Sequence, residues 1–212
     1  MRLDNPAPGL RIAQPERGFR YGSEAFWLVG FALEGGVPSR ALDMGTGSGI
    51  AAFLLASVGV ETLGIDLRPE WKPLWERSLE ASDASPTLRV RDAAELEGSW
   101  PLIVSNPPFF PAGSGPVSAD EWRAAARTES TATLKMFVDT ARACLAPGGR
   151  ACFVIPVQRL AEIEGPRRIV RVGERRVLVE FERSPADCVE DVAVKGNTRR
   201  VVGWYESVRA KF

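Results

Sequence analysis

The segment Asp43-Met44-Gly45-Thr46-Gly47-Ser48-Gly49 joins a short apolar run to a stretch of small residues. Glycines in such a turn let the backbone approach a ligand where a Cβ would clash. A dinucleotide fingerprint reads GxGxxG, whereas here Ile50 follows Gly49 and the spacing is GxGxG. Asp43 at the head of the turn weighs against a pyrophosphate and suits a cationic amino group. About 20 residues further on, Gly64-Ile65-Asp66-Leu67 closes a second apolar run. A carboxylate at that place accepts hydrogen bonds from both hydroxyls of a ribose. Arg91-Asp92-Ala93 closes a third run, where Asp92 is positioned to accept from an adenine amino group. One acidic strand end is commonplace. Three of them beside a glycine turn point to a nucleoside cofactor, because open α/β sheets bind ligands outside the carboxyl ends of their strands. The expected cofactor contacts are Asp43, Gly45, Thr46, Gly47, Gly49, Asp66, Leu67, Asp92 and Ala93, together with Asn106.

Asn106 opens a different motif, Asn106-Pro107-Pro108-Phe109, after the apolar run Leu102–Ser105. The two prolines fix their own φ and hold their predecessors extended, so the loop is rigid. Rigidity suits transfer to a planar amine. The NH₂ of adenine, guanine or a carboxamide is a poor nucleophile because its lone pair is delocalised. Two acceptors, the Asn106 side-chain oxygen and the Pro107 carbonyl, pull that nitrogen toward tetrahedral geometry and aim the lone pair at a methyl sulfonium. Phe109 would stack on the flat target, a contact worth roughly 1 to 3 kcal/mol for a base. Asn106, Pro107, Pro108 and Phe109 are the expected catalytic residues. No general base is needed before transfer, which fits a chain without a single histidine.

These residues need a scaffold that delivers strand ends to one edge. Arg40–Met44, Glu61–Ile65, Thr87–Arg91, Leu102–Ser105 and Ala151–Ile155 read as strands. Between them Ser48–Val58, Pro69–Ala81 and Thr131–Leu145 have helical spacing, the last stopping at Pro147-Gly148-Gly149. Such alternation predicts βαβ units and a mostly parallel sheet covered on both faces. A helix over Ser23–Leu33, with Ser23 as N-cap and Gly35-Gly36 as its stop, precedes the first strand. The tail changes character. Arg167–Val172 and Arg175–Glu182 read as an antiparallel hairpin about Gly173-Glu174, followed by a strand or loop at Val189–Val194 and a helix from Thr198 to Lys211.

Composition sets outer bounds. A chain of 212 residues fits one domain, here a lead-in and helix over 1–39 and a core over 40–212. The absence of histidine excludes Ser-His-Asp and Cys-His catalysis and the HExxH zinc motif. Cys144, Cys152 and Cys188 are too scattered for a metal pair or a disulfide framework, so no metal is expected. Met1–Gln14 lacks the plan of a secretory signal and no apolar run reaches the roughly 20 residues of a membrane span, so a cytoplasmic protein is expected. Lys+Arg and Asp+Glu both number 27, yet Arg167, Arg168, Arg171, Arg175 and Arg176 crowd together. That cluster reads either as a solvated sheet edge or as a phosphate-binding rim.

Asp43 to Gly49, Asp66, Asp92 and Asn106-Pro107-Pro108-Phe109 resemble the motifs of class I S-adenosylmethionine-dependent methyltransferases of the N6-adenine type. Within that group the chain most resembles the bacterial family that methylates the adenine beside the anticodon of valine tRNA. Gln14…Phe19-Arg20-Tyr21…Glu24 resembles that family's segment before the first strand, and Ala126-Arg127-Thr128-Glu129 its loop end. Glu24 stands where aspartate is more frequent there, Phe109 where tyrosine is, and Thr128 where histidine is. The resemblance implies a Rossmann-like sheet of seven strands in the order 3-2-1-4-5-7-6, S-adenosylmethionine as cofactor, and RNA, as tRNA, as substrate partner. Arg127, Arg167, Arg168, Arg171 and Phe109 are the expected substrate contacts. Guanine-N2 methylation of ribosomal RNA, glutamine-N5 methylation of a protein, and RNA binding without catalysis are the alternatives.

Overall fold

A computed structural model describes residues 1–16, 20–107, 110–111, 128–129, 134–185 and 190–194. The chain opens on a hairpin, β1 (Arg2–Ala7) and β2 (Leu10–Gln14), which the sequence pattern does not predict. Helix α1 (Glu24–Glu34) leads to β3 (Arg40–Met44), α2 (Ile50–Ala56) and β4 (Glu61–Asp66). A 3₁₀ turn, Pro69–Trp71, runs into α3 (Lys72–Ala81), followed by β5 (Thr87–Val90) and β6 (Trp100–Ser105). Two short segments, β7 (Phe110–Pro111) and β8 (Thr128–Glu129), pair in parallel. Then come α4 (Leu134–Cys144), β9 (Leu145–Pro156), β10 (Arg168–Val172), β11 (Arg176–Phe181) and β12 (Glu190–Val194).

The main sheet runs β12-β10-β11-β9-β6-β3-β4-β5. Read from β5, this is the expected order with an eighth strand added, so Glu190–Val194 is strand rather than loop. It pairs in parallel with β10, and the hairpin is therefore not the outermost feature of the sheet. Only β11 runs against its neighbours β9 and β10. The turn between β10 and β11 holds three residues, Gly173 to Arg175, rather than two, since Val172 pairs with Arg176. The expected helix from Thr198 lies outside the described residues.

Side chains alternate across the sheet, as a strand's two-residue period requires. On one face Ala41, Leu102, Val104, Cys152, Val154 and Leu178 pack with Leu28, Phe31, Phe53 and Leu54 of α1 and α2. On the other, Leu42, Met44, Ile103, Phe153, Ile155, Val177 and Val179 meet Leu134, Phe137 and Val138 of α4. The N-terminal hairpin packs on α3, where Ala13 joins Trp71, Leu74 and Trp75. Strand edges need partners for their unpaired backbone groups. Here Ser78 on α3 and Ser82 just past its end accept the N–H groups of Ala13 and Arg11, both at 2.9 Å.

Two boundaries differ for local reasons. Pro147-Gly148-Gly149 does not interrupt the sheet: β9 passes through it with a register shift opposite Trp100–Leu102. Helix α2 starts at Ile50 rather than Ser48, because Gly49 sits at φ 87° in the left-handed region. Ser23 precedes α1 but makes no side-chain capping bond. Among the described residues, no helix is long and apolar enough to cross a membrane.

Candidate functional site

The glycine turn leaves β3 at its carboxyl end and folds against β4. The N–H groups of Gly45 and Thr46 both donate to the Ile65 carbonyl, at 2.9 and 2.8 Å. Asp43 is 2% exposed, and its Oδ2 accepts from the Thr46 hydroxyl and from the Ala52 N–H at 3.1 Å. Ala52 is the third residue of α2, and the residue before that helix is a glycine with no side chain to cap it. Asp43 supplies that cap from the strand end. Burial pushes its carboxyl up to about 7, with the neighbouring Asp66 adding to the rise and the two hydrogen bonds opposing it.

Asp66 ends β4 and is 8% exposed. Its Oδ2 accepts the Gly47 N–H at 3.0 Å, and its Oδ1 accepts the Arg68 N–H and Nε at 3.0 and 3.2 Å. A carboxylate has about four lone-pair positions, so Asp66 retains capacity for a further donor. Beside it Leu67 is 44% exposed and Val90, its neighbour's register partner at the end of β5, 43%. Two exposed aliphatic side chains there offer an apolar surface to a flat ring. Asp92 is half-buried and accepts the Ala94 N–H at 2.9 Å, which caps the 3₁₀ turn Ala93–Glu95 over the buried Ala93.

The Asn106 end of the site is fixed by Ser105, whose hydroxyl donates to the Met44 carbonyl at 2.6 Å and ties β6 to β3. The Oδ1 atom of Asn106 is buried and has no hydrogen-bond partner among the described residues. Buried acceptors are nearly always paired, so an orphan at a strand end marks a place for a donor from outside. Pro107 is buried directly after it. Pro108, Phe109 and Arg127 lie outside the described residues. Asn106 faces one cavity with Asp43, Gly45, Thr46, Gly47, Ser48, Ile50 and Ala51, closed on the near side by Tyr21, Gly22, Ala25 and Leu28. Asp66, Leu67, Asp92 and Ala93 stand along the same carboxyl edge of the sheet.

Tyr21, Gly22, Ala25 and Ser48 were not singled out by residue chemistry, although the Gln14…Glu24 segment carries a family resemblance. The structure explains that segment. Gln14, 1% exposed, accepts the Tyr21 N–H on its side chain at 3.0 Å and donates to Asp4 at 2.6 Å. Asp4 also pairs with Arg20 at 2.7 Å and Arg2 at 2.8 Å. Tyr21 is thereby seated over the cavity, and burial, with Asp4 nearby, pushes its hydroxyl up to about 12.

The arginines divide by position. Because β10 runs with β9 and β6, Arg168 stands at its amino end and Arg167 just before it, on the edge of the sheet opposite the glycine turn. Arg167 pairs with Glu182; Arg168 pairs with Glu34 at 2.5 Å and lies over the Phe31 ring at 4.0 Å. Arg171 is half-buried near the carboxyl end of β10. Arg175 and Arg176 follow at the turn on the site's own edge, where Arg176 pairs with Glu24 at 3.6 Å. Among the described residues no cluster of three His, Cys, Asp or Glu is arranged to hold a metal ion.

No family model matches the chain. It is similar to the tRNA1(Val) (adenine(37)-N6)-methyltransferase of Porphyromonas gingivalis, 31% identical over 166 residues that cover 72% of this chain and 64% of that protein. The match thus spans just under two thirds of that relative's length. The protein of the same description from Tolumonas auensis is 31% identical over 172 residues, 72% of each chain. Among solved structures, a predicted O-methyltransferase from Agrobacterium tumefaciens aligns with a TM-score of 0.60 at 17% identity, covering 86% of this chain and 96% of that one. At such identity the likeness is one of fold.

Proposed function

The chain belongs to the tRNA1(Val) (adenine(37)-N6)-methyltransferase family, and from that premise we propose that it methylates the N6 amine of an adenine in RNA, with tRNA as the substrate class. The observation that carries the proposal is the orphaned Asn106 Oδ1, buried at the end of β6 in one cavity with the glycine turn. A binding module has no need of a buried, unpaired amide acceptor, and such an atom is costly unless a ligand completes it.

The residues present fit S-adenosylmethionine. Asp66 keeps acceptor capacity for a ribose diol, Leu67 and Val90 offer an exposed aliphatic surface for the adenine, and Asp92 stands at the end of the next strand to receive the adenine amine. When bound, the cofactor supplies an electrophilic methyl carbon on a sulfonium. Asn106 Oδ1 and the Pro107 carbonyl accept from the substrate NH₂, localising its lone pair and orienting it in line with that carbon. Stacking on the base is assigned to Phe109, and contact with the substrate to Arg127 and Arg171. Asp43 acts from behind, holding turn and helix together. An RNA substrate of this kind also carries a cytoplasmic location with it.

The experiment is transfer of labelled methyl from S-adenosylmethionine to total bacterial RNA and total protein in parallel, with the RNA digested to nucleosides. N6-methyladenosine is the expected product. Asn106→Ala should lose about 10²- to 10³-fold in kcat, the scale of one lost transition-state contact, while cofactor affinity stays. Label in protein alone would move the activity to glutamine, and an unimpaired Asn106→Ala would remove the catalytic assignment.

A further inference from the structure

We propose that Trp75 is a positioning residue for the cofactor turn: it fixes which way the Gly47–Ser48 peptide faces. This rests on the glycine turn being the cofactor site. Trp75 lies on α3, 2% exposed, and its indole N–H donates to the Gly47 carbonyl at 2.7 Å across 28 residues of sequence. The Gly47 N–H is taken from the other side by Asp66 Oδ2 at 3.0 Å. Both polar groups of this one residue are therefore committed, one to a strand and one to a helix.

Trp71, fully buried, completes the grip. Its ring lies 3.7 Å from where a Cβ on Gly47 would stand, and the Arg68 guanidinium sits 4.9 Å above the ring while also donating to Asp66 Oδ1. The ring of contacts Trp75–Gly47–Asp66–Arg68–Trp71 begins and ends on the same helical segment. The hairpin β1–β2 braces that segment from outside through Ala13 and Ser78.

A trans peptide holds its C=O and N–H on opposite sides. With the Gly47 carbonyl drawn toward α3, planarity turns the Ser48 N–H away from that helix, and Ser48 is a residue that lines the cavity. Turning that peptide changes ψ of Gly47 and φ of Ser48, and at a residue without a Cβ the first of these is loosely held. Without the indole N–H the Gly47 carbonyl loses the bond that sets its direction, and the peptide can rotate so that the Ser48 N–H is no longer held toward the ligand. Trp75 thus selects the donor-presenting state of the turn without touching the ligand.

Trp75→Phe in the full chain keeps an aromatic ring in the cluster and removes the donor. Its dissociation constant for S-adenosylmethionine should rise about tenfold by calorimetry, the scale of one buried acceptor left unpaired. KM for the cofactor should rise in step, while kcat at saturation stays within about twofold, since the contact is the same in ground and transition states. In the ligand-free protein, amide exchange over residues 45–49 should quicken. Leu79→Ala, on the same helix but away from the turn, serves as the stability control. It should lower the melting temperature without moving affinity or loop exchange. Wild-type affinity in Trp75→Phe, or an equal loss in Leu79→Ala, would overturn the proposal. Wild-type protein that binds no S-adenosylmethionine would overturn the cofactor reading instead, and unchanged exchange in Trp75→Phe would overturn the turn-positioning role by itself.

Discussion

The Asp43 carboxyl, held up near pH 7 by burial, makes the turn sensitive to pH in a direction that follows from linkage. Its folded value lies above the ordinary 3.8, so between those limits the folded state binds the extra proton. Stability from this group is complete below about pH 4 and is lost as pH rises through about 7. Asp43→Asn can accept the same two bonds without the charge. Its melting temperature should therefore change less than that of the wild type between pH 5 and 8, and parallel profiles would show that Asp43 is not the group responsible. At this scale much of the site is legible in sequence, because Asp43, Asp66, Asp92 and Asn106 are polar residues placed just where apolar runs end. Other parts were not. Tyr21 and Ser48 line the cavity as ordinary residues in ordinary surroundings, and Trp75 reaches Gly47 through a helix whose rotation no local pattern specifies.

Elements with a strong period were read closely: β3 over Arg40–Met44 has the expected bounds, and α1 and β4 differ by a residue at an end. The N-terminal hairpin carries no strand signal in the sequence, since Arg2-Leu3-Asp4-Asn5-Pro6-Ala7 holds a proline and no apolar–polar alternation. Its stability comes from packing against α3 rather than from intrinsic propensity. Ser78→Ala tests that dependence. It strands the Ala13 N–H in a buried setting, which should cost about 1 to 3 kcal/mol and lower the midpoint of chemical denaturation. A midpoint equal to wild type would mean that the hairpin contributes nothing to the stability of α3. The run Pro147-Gly148-Gly149 misled in the opposite sense. Its residues are turn formers and make no register pair themselves; the strand continues across them because Leu145 before and Arg150 after both pair with β6.

Across the whole molecule, strand direction decides which charges stand on the edge of the sheet that carries the glycine turn. The basic cluster of the sequence is continuous along the chain but is split between two opposite edges of the sheet by the run of β10. Arg168, paired with Glu34 and stacked on Phe31, ties β10 to α1; Arg168→Ala should lower the melting temperature and leave RNA affinity unchanged. Arg175, exposed at the turn on the site's edge, should behave in reverse. Its replacement by alanine should weaken RNA binding and reduce the slope of log affinity against log salt by roughly one phosphate contact, about 0.7 to 0.9. Equal salt slopes would exclude it from the interface. The same sheet has one further property. Strands β3 and β6 meet through only two register pairs, Leu42 with Ile103 and Asp43 with Val104, and the cavity opens where that contact ends. One wall comes from the glycine turn after β3 and the other from Asn106 after β6, so a molecule bound there closes a seam between two successive lengths of chain. Affinity for it and resistance of the sheet to parting along that seam are then linked by mass action, each measurable through the other.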